Sequence, residues 1–500
     1  MATTLTSDLA ATIKELTGEN VHLCYQCKKC TLGCPLAPYF DLVPHQVLRA
    51  LQLGQTDLVL NSNTIWLCTQ CEACATRCPH EIDLPAIMDE LKIMALHEGI
   101  PSKVPSVPLF YSAALRGINL FGRMYEAGMM GELYLRRTLA GEMDFRQLVS
   151  RDLPMAVKMI RDGKLQILPT LVRHPEGSGQ VAQRAVDLDR IAYYPGCSLH
   201  GTAKDYDISI RATMEGLGIE LYEPEGWVCC GTTPAHSTDH VLATIMPLRS
   251  LSLMERSGHS YVTVPCPSCF IRMRTAIRDV RQDGELRRQV AARAPDLAAK
   301  DRPGETDPAD RRDGQSVYVP AEDMVVDHLL TTLTDRIGYD RVAQAVTKPL
   351  KSLKVACYYG CVITRPPGLT GVQDYEYPTH MERLVETLGA EPLDWSYKTE
   401  CCGVSLGFTK LSVAVQLTEK VLRNAKGVGA EAIVVACPLC HVNLDARQKQ
   451  IEEQFGESLD LPVFYVTELM ALAFGVQPKR LGLEKHFVDS LPLLERKGIL

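Results

Sequence analysis

Short, almost wholly apolar runs separated by helix-length stretches dominate the second half of the chain: Ile191–Tyr194, Tyr261–Val264, Val355–Tyr359 and Ile433–Val435. Runs of three to five residues without polar alternation suit strands buried on both faces, and their alternation with helical segments predicts parallel α/β units. The first half reads differently. Residues 6–17 predict a short helix, and between Asp83, a good N-cap type, and Gly99 the residues Leu84, Ile87, Met88, Leu91 and Met94 recur at helical spacing, with Pro101 beyond. That helix is expected to pack over whatever precedes it and exclude water. From Pro101 to about Val186 the apolar residues Leu115, Ile118, Leu120, Tyr125, Met129, Leu133 and Leu135 alternate with basic ones without strand periodicity. Helices with breaks at Gly128, Gly131 and Gly141 are expected there, as a packing and bridging layer or a docking surface for a partner.

The chain is 500 residues long, 46% hydrophobic and 23% charged, which suits two or three soluble globular domains. A net charge of -7 and a pI near 6.0 argue against a nucleic-acid surface. Met1–Glu15 lacks the basic and apolar regions of a signal peptide, and no stretch reaches the 18 or more apolar residues of a membrane span, so a cytoplasmic protein is expected. Nineteen cysteines is the outlying number. In a reducing compartment such clusters mean metal binding or catalysis more often than disulfides.

Eighteen of those cysteines fall into spaced sets. Cys24, Cys27, Cys30 and Cys34, the last followed by Pro35, repeat as Cys68, Cys71, Cys74 and Cys78, followed by Pro79. This spacing wraps three thiolates around one cubane cluster while the fourth reaches across to the other, which assigns Cys24, Cys27, Cys30 and Cys78 to one 4Fe-4S cluster and Cys68, Cys71, Cys74 and Cys34 to a second. Zinc sites use paired Cys-x2-Cys knuckles instead of this run. A second duplication covers the strand-rich half. Cys197, Cys229-Cys230-Gly231 and Cys266-Pro267-Ser268-Cys269 recur in register as Cys361, Cys401-Cys402-Gly403 and Cys437-Pro438-Leu439-Cys440. Adjacent cysteines make poor disulfides but can grip neighbouring metal atoms, so each copy reads as one metal-sulfur site. Ligands in parallel α/β sheets collect beyond the strand carboxyl ends, where these cysteines stand. Only Cys357 is left over, and it is expected to be a buried structural thiol.

The expected fold class is α+β multi-domain: a helical two-cluster ferredoxin domain followed by a duplicated α/β Cys-Cys-Gly domain. The expected division is 1–100 for the ferredoxin-type domain, 101–187 for a helical connecting segment, 188–280 for the first repeat, 281–350 for a charged insertion and linker, and 351–500 for the second repeat. Residues 281–316, rich in Arg, Asp, Ala and Pro, read as a solvated insertion, and Arg173, His174 and Gly177-Ser178-Gly179 as an exposed linker. His200, Lys204, Arg365 and His441 lie near cluster cysteines in sequence. They are candidates for holding anionic substrate groups or supplying protons, against an ordinary surface or packing role.

Tyr25-Gln26 within the first motif, Pro44-His45-Gln46, and Ile65-Trp66-Leu67-Cys68 resemble the C subunit of heterodisulfide reductase, and the doubled Cys-Cys-Gly region resembles its B subunit. C-like then B-like in one chain is the order of the D subunit of the membrane-linked enzyme. The resemblance spans residues 20–98 and 190–470. It implies two non-cubane 4Fe-4S clusters beside the two cubane ones, held by Cys197, Cys229, Cys230, Cys266 and Cys269 and by Cys361, Cys401, Cys402, Cys437 and Cys440, with a disulfide cleaved between them. Zinc is the alternative occupant of one such site. The implied activity is reduction of a disulfide or related sulfur substrate, on a small thiol or a protein thiol. The implied partners are a flavoprotein resembling the reductase's A subunit or a cytochrome b-type membrane protein, through which the chain would sit at the cytoplasmic membrane. A different class, pure electron relay beside a flavin dehydrogenase or within a bifurcating complex, is the alternative that related Cys-Cys-Gly proteins imply, and the intact five-thiol set in both repeats favours catalytic clusters over it.

Overall fold

In a computed structural model that describes residues 9–141, 149, 152–172, 187–297, 317–456 and 458–500, the strand-rich half forms two all-parallel sheets of four strands each. The strands β1 (Arg190–Tyr193), β2 (Glu220–Tyr222), β3 (Tyr261–Val264) and β4 (Val325–His328) lie in the order β2-β1-β3-β4. The strands β5 (Lys354–Tyr358), β6 (Glu391–Pro392), β7 (Ala432–Val435) and β8 (Val463–Tyr465) repeat it as β6-β5-β7-β8. Every residue of β3 and β7 is buried, as the unbroken apolar runs require. In each sheet the chain leaves the first strand toward one edge and returns on the other side of it. The winding therefore reverses between β1 and β3, and between β5 and β7, which opens a crevice beyond their carboxyl ends.

The stretch read as insertion and linker contributes β4, which pairs with β3 from Tyr261↔Val325 to Val264↔His328. Its most charged part, residues 298–316, lies outside the described residues, as do Arg173, His174 and Gly177–Gly179. The N-terminal helix is described from Leu9 to Thr17.

The two sheets meet through buried rings. Tyr206 stacks on Tyr465 at 4.0 Å and donates its hydroxyl to the Ala436 carbonyl at 3.3 Å. His328 donates Nε2–H to the Pro265 carbonyl at 3.1 Å while its Nδ1 accepts from Leu330 N, and burial pushes its pKa down to about 4. The Tyr206 contact crosses between the repeats one residue before Cys437, while the His328 contact ties β4 to the loop one residue before Cys266 within the first.

The ferredoxin-type region is built from short helices and the longer Leu84–His97, capped by Asp83 Oδ1 accepting from Ala86 N at 3.0 Å. Its apolar core takes in Leu406, Val413 and Leu417 from the second repeat, each worth roughly 1.5–3 kcal/mol on burial. The opposite side of the same helix is charged. Asp89 accepts from His236 at 2.6 Å and Ser237 at 2.8 Å, and Lys92 lies 3.3 Å from it, all buried against the first repeat. Burial pushes Asp89 up, but His236 and Lys92 hold it well below the carboxylate range, while burial takes His236 down to about 4. The region is thus clamped to both repeats.

The connecting helices Ser106–Phe121, Glu126–Leu139 and Leu153–Arg161 bridge the same parts. Ser106 donates to the Thr409 carbonyl at 2.8 Å, and the Gly122 carbonyl accepts from Cys229 N at 2.9 Å.

Candidate metal centres

The two ferredoxin-type loops share a backbone device. Gln26 and Lys28 flank Cys27 at positive φ, and Gln70 and Glu72 flank Cys71 in the same way. Left-handed residues on both sides of the middle cysteine are strained for non-glycine side chains. They curl the loop so that three successive thiols converge. Burial pushes Cys30 up to about 11, with Cys24, Cys27 and Cys78 as its thiol neighbours. Cys74 is likewise raised, first by burial and then by Cys68, Cys71 and, further down, Cys34. The fourth cysteine of each motif therefore lies with the other motif's three. Cys27 is exposed and its neighbour Tyr25 is 61% exposed, so the first set stands at the surface.

In the first Cys-Cys-Gly repeat, Cys197 follows β1, and Cys266 and Cys269 follow β3 at the head of the Pro267–Gln282 helix. These are the two strands between which the winding reverses. Cys230 Sγ lies 3.2 Å from Cys269 Sγ, and Gly231 N donates to Cys229 Sγ at 3.4 Å. The second repeat matches it, with Cys402 Sγ 3.6 Å from Cys440 Sγ and Gly403 N donating to Cys401 Sγ at 3.4 Å. In both, the first cysteine of the pair is the acidic one. The Cys361 thiol, then Gly403 N–H and the Thr69 hydroxyl, hold Cys401 down to about 7, and Cys197 followed by Cys230 holds Cys229 well below the ordinary thiol range. Gly196 and Gly360 stand before the lone cysteines at φ +75° and +71°. A Cβ on Gly196 would come 3.0 Å from Cys269 Sγ, and one on Gly360 2.9 Å from Cys440 Sγ, so a side chain there would fill the thiol cradle.

These donor sets suit iron–sulfur groups. The closest sulfur pairs are far beyond the ~2.05 Å of a disulfide. Backbone N–H groups of Met124, Gly231, Gly403 and Cys440 point at sulfurs at 3.3–3.4 Å, as bridging and thiolate sulfurs of such clusters require. Cys357 lies apart, buried in β5 with its thiol raised by burial.

The two repeats differ in their surroundings. Cys71 of the ferredoxin-type loop packs in one cluster with Cys401 and Cys361, and Thr69 Oγ1 lies 3.7 Å from Cys401 Sγ. Cys197 instead lines a small pocket of about 30 Å³ with Phe121, Arg123, Met124, Tyr125, Glu126, Gln166, Thr170 and His200. Arg123 stacks 3.5 Å over Trp227 and sits 3.3 Å from His200 Nδ1, while His200 Nε2 pairs with Glu223 at 2.9 Å. Burial lifts the Glu126 carboxyl to about 7 despite donation from Thr202 N and Oγ1. A larger groove between Tyr39, Lys103 and Gln416 holds no cysteine.

Of the four charged candidates from sequence, only His200 lines the pocket. Lys204 is exposed at the start of the Lys204–Gly216 helix, Arg365 is buried donating to the Thr399 carbonyl at 2.9 Å, and His441 is buried with Nε2 donating to the Val463 carbonyl at 2.9 Å. Arg123, Glu126 and Gln166 went unnoticed because the connecting segment carries no cysteine, and nothing local marks which of its polar residues turn toward Cys197.

The cysteine-rich domain family matches residues 191–274 and 355–445, and the 4Fe-4S dicluster domain family matches 23–83. The membrane anchor subunit of the 8-methylmenaquinol:fumarate reductase of Wolinella succinogenes is 30% identical over 302 residues, 60% of this chain and 98% of that one. The B subunit of the ferredoxin/F(420)H(2)-dependent CoB-CoM heterodisulfide reductase of Methanosarcina acetivorans is 26% identical over 310 residues, 61% of this chain and 96% of its own. The B subunit of the ferredoxin:CoB-CoM heterodisulfide reductase of Methanosarcina mazei is 25% identical over 312 residues, 62% and 97% respectively. With duplicated thiol crevices behind a two-motif ferredoxin-type region, the chain belongs to the cysteine-rich Cys-Cys-Gly domain family as a heterodisulfide reductase C-like and B-like fusion, an iron–sulfur protein of electron transfer.

Proposed function

We propose that the chain carries electrons from a partner, through its ferredoxin-type region and second repeat, to the first repeat, where a disulfide or related sulfur substrate is reduced. Cys24, Cys27, Cys30 and Cys78 would hold one cubane 4Fe-4S cluster and Cys34, Cys68, Cys71 and Cys74 the other. Cys361, Cys401, Cys402, Cys437 and Cys440 would hold one non-cubane cluster, and Cys197, Cys229, Cys230, Cys266 and Cys269 its counterpart. Bound there, these groups would supply one-electron steps and, at the non-cubane sites, iron that can bind sulfur. The contact of Cys71 with Cys401 and Cys361, set against the small polar pocket at Cys197, is the observation that carries the reading.

Reduction of a disulfide to two thiols takes two electrons and two protons. His200 and Glu126 are the pocket residues able to donate protons, Glu126 because its carboxyl is half protonated near neutral pH. Arg123 presents positive charge that favours a thiol with an anionic group. The exposed edge at Tyr25 and Cys27 is where a partner would deliver electrons, either a flavoprotein resembling the A subunit of heterodisulfide reductase or a cytochrome b-type membrane protein.

The similarity to a fumarate reductase membrane anchor favours a second reading, electron relay without sulfur chemistry, in which one Cys-Cys-Gly site carries zinc. Anaerobic purification, quantification of iron, sulfide and zinc, and paramagnetic resonance after oxidation with and without thiols separate the two. About 16 iron per chain with a new signal on thiol binding is expected. About 8 to 12 iron with zinc present, or full iron with no thiol-dependent signal, would replace disulfide reduction with relay.

A further inference from the structure

The two ferredoxin-type motifs are held at their first cysteine in the same place but by different chemistry. The Cys24 carbonyl accepts from Gln52 Nε2 at 2.8 Å, at the end of the Pro44–Gln52 helix, and the Cys68 carbonyl accepts from Lys92 Nζ at 3.5 Å, within the Leu84–His97 helix. Each helix follows its own motif in the chain. A neutral amide at one motif thus stands where an ammonium stands at the other.

The ammonium is deeply placed. Lys92 is 0% exposed, and lysine is almost never fully buried unless paired. Its other partners are Asp89 Oδ1 at 3.3 Å and Ser237 Oγ at 3.4 Å, and Asp89 in turn accepts from Ser237 and His236 of the first repeat. Burial works against the charge, but Tyr111, Asp89 and Cys68 outweigh it and hold the Lys92 pKa above the ordinary lysine value. At Cys68 burial raises the thiol, and Lys92 opposes that more strongly than Asp89 adds to it.

A fixed charge matters more at the second set than at the first. Cys27 is exposed, and so are Lys28 and Lys29 beside it, where water and salt screen them. Cys71, its counterpart, is buried. An electron added to an iron–sulfur group held by four thiolates adds negative charge, and burial disfavours the more charged form, so the buried set is the harder to reduce unless a cation offsets the penalty. Lys92 supplies that cation, and in a water-poor site its field is weakly screened.

We propose that Lys92 raises the potential of the set Cys34, Cys68, Cys71 and Cys74 above that of the set at the surface, so that an electron received at the Tyr25 and Cys27 edge runs inward to the contact with Cys401. Lys92 touches no reactant; it is a positioning charge that orders the two centres. The inference rests on the proposed cubane assignments, which the iron and sulfide counts check separately.

The test is a redox titration of the anaerobically purified full chain, followed by paramagnetic resonance of the two ferredoxin-type centres. Lys92→Gln, which copies the amide of Gln52, should make one centre roughly tenfold harder to reduce, ~59 mV for one electron, and leave the other in place. The centre that moves should be the one of higher potential in the unaltered chain. Lys92→Arg keeps the charge and should hold that midpoint near its original value, whereas Gln52→Lys should raise the other centre. Should Lys92→Gln fold poorly with Asp89 stranded, Lys92→Gln with Asp89→Asn removes both charges, and a smaller fall of the same centre is expected. Unchanged midpoints in the Lys92→Gln variants with full iron, equal shifts of both centres, or a fall of the centre that is already the lower would overturn the proposal. Fewer than about 8 iron per chain would overturn the cubane assignments and this inference with them.

Discussion

The two Cys-Cys-Gly repeats have the same strand order, the same thiol register, the same glycine before the lone cysteine and the same acidic first member of the cysteine pair. They differ in what a third segment lays over that cysteine. At Cys361 it is the ferredoxin-type loop, with Cys71 in contact, and at Cys197 it is the turn between connecting helices, with Met124 N donating to the sulfur at 3.3 Å and a pocket left beside it. On the proposed function a duplicated unit would thus take two roles without changing its own chemistry. One copy faces another thiol set, which would suit relay; the other faces polar side chains around a pocket of about 30 Å³, which on the proposed function would take one end of a reactant.

The largest effect that would break this contrast comes from removing one cysteine in each copy. Cys401→Ala and Cys197→Ala should each lower iron by about 4 per chain if each site holds one four-iron group. Cys401→Ala is expected to leave the ferredoxin-type sites reducible but abolish electron transfer onward, whereas Cys197→Ala should leave the second site reducible from them. Rapid-freeze paramagnetic resonance after a reductant pulse distinguishes the two, and equal behaviour of both variants would mean that the repeats are not in series.

A smaller effect sharpens the electrostatic side. Glu126 is raised by burial from 4.5 to about 7. Below its unfolded pKa it is protonated in both states; as pH rises the unfolded chain ionises first, so stability falls until the folded group titrates too. Because the side chain keeps some solvent contact, the loss is roughly 1–3 kcal/mol. Glu126→Gln should therefore be the more stable protein at about pH 8 and lose that advantage at about pH 5, read from urea unfolding midpoints. A pH-independent difference would remove the buried carboxyl from the account of the first site.

The smallest effect concerns how the ferredoxin-type region is held on the second repeat. Arg77 forks onto Glu376 at 2.7 and 3.2 Å, with both side chains about one-third exposed. Arg77→Ala should cost no more than about 1 kcal/mol and shrink further in high salt. Slower electron passage to the second repeat with stability almost unchanged would show that the pair aligns the two thiol sets more than it stabilises them.

The strands and the ferredoxin helix were legible because their signals are local. β3 coincides with the run Tyr261–Val264, β7 with Ile433–Val435 plus one residue, and Asp83 caps the helix its sequence announces. β4 was not legible. Val325–His328 is short, ends in Asp327 and His328, and becomes a strand only because β3 offers it a buried edge. Asp89 and Lys92 were hidden for a related reason: a charged residue on an amphipathic helix reads as solvated unless its partners, here His236 and Ser237 nearly 150 residues away, are known.

What the sequence by itself determined is the grouping of thiols, since three- and four-residue spacings and a duplicated register are properties of neighbouring residues and of a repeat. Which Cys-Cys-Gly site meets the ferredoxin-type region and which meets the connecting segment was decided only by tertiary structure. Cys71 and Cys401 are 330 residues apart, and Arg123 and Cys197 are brought together by the Gly122 carbonyl on Cys229 N, Met124 N on Cys197 Sγ and the Trp227 ring beneath the guanidinium. No periodicity encodes such contacts; they follow from which buried faces fit one another.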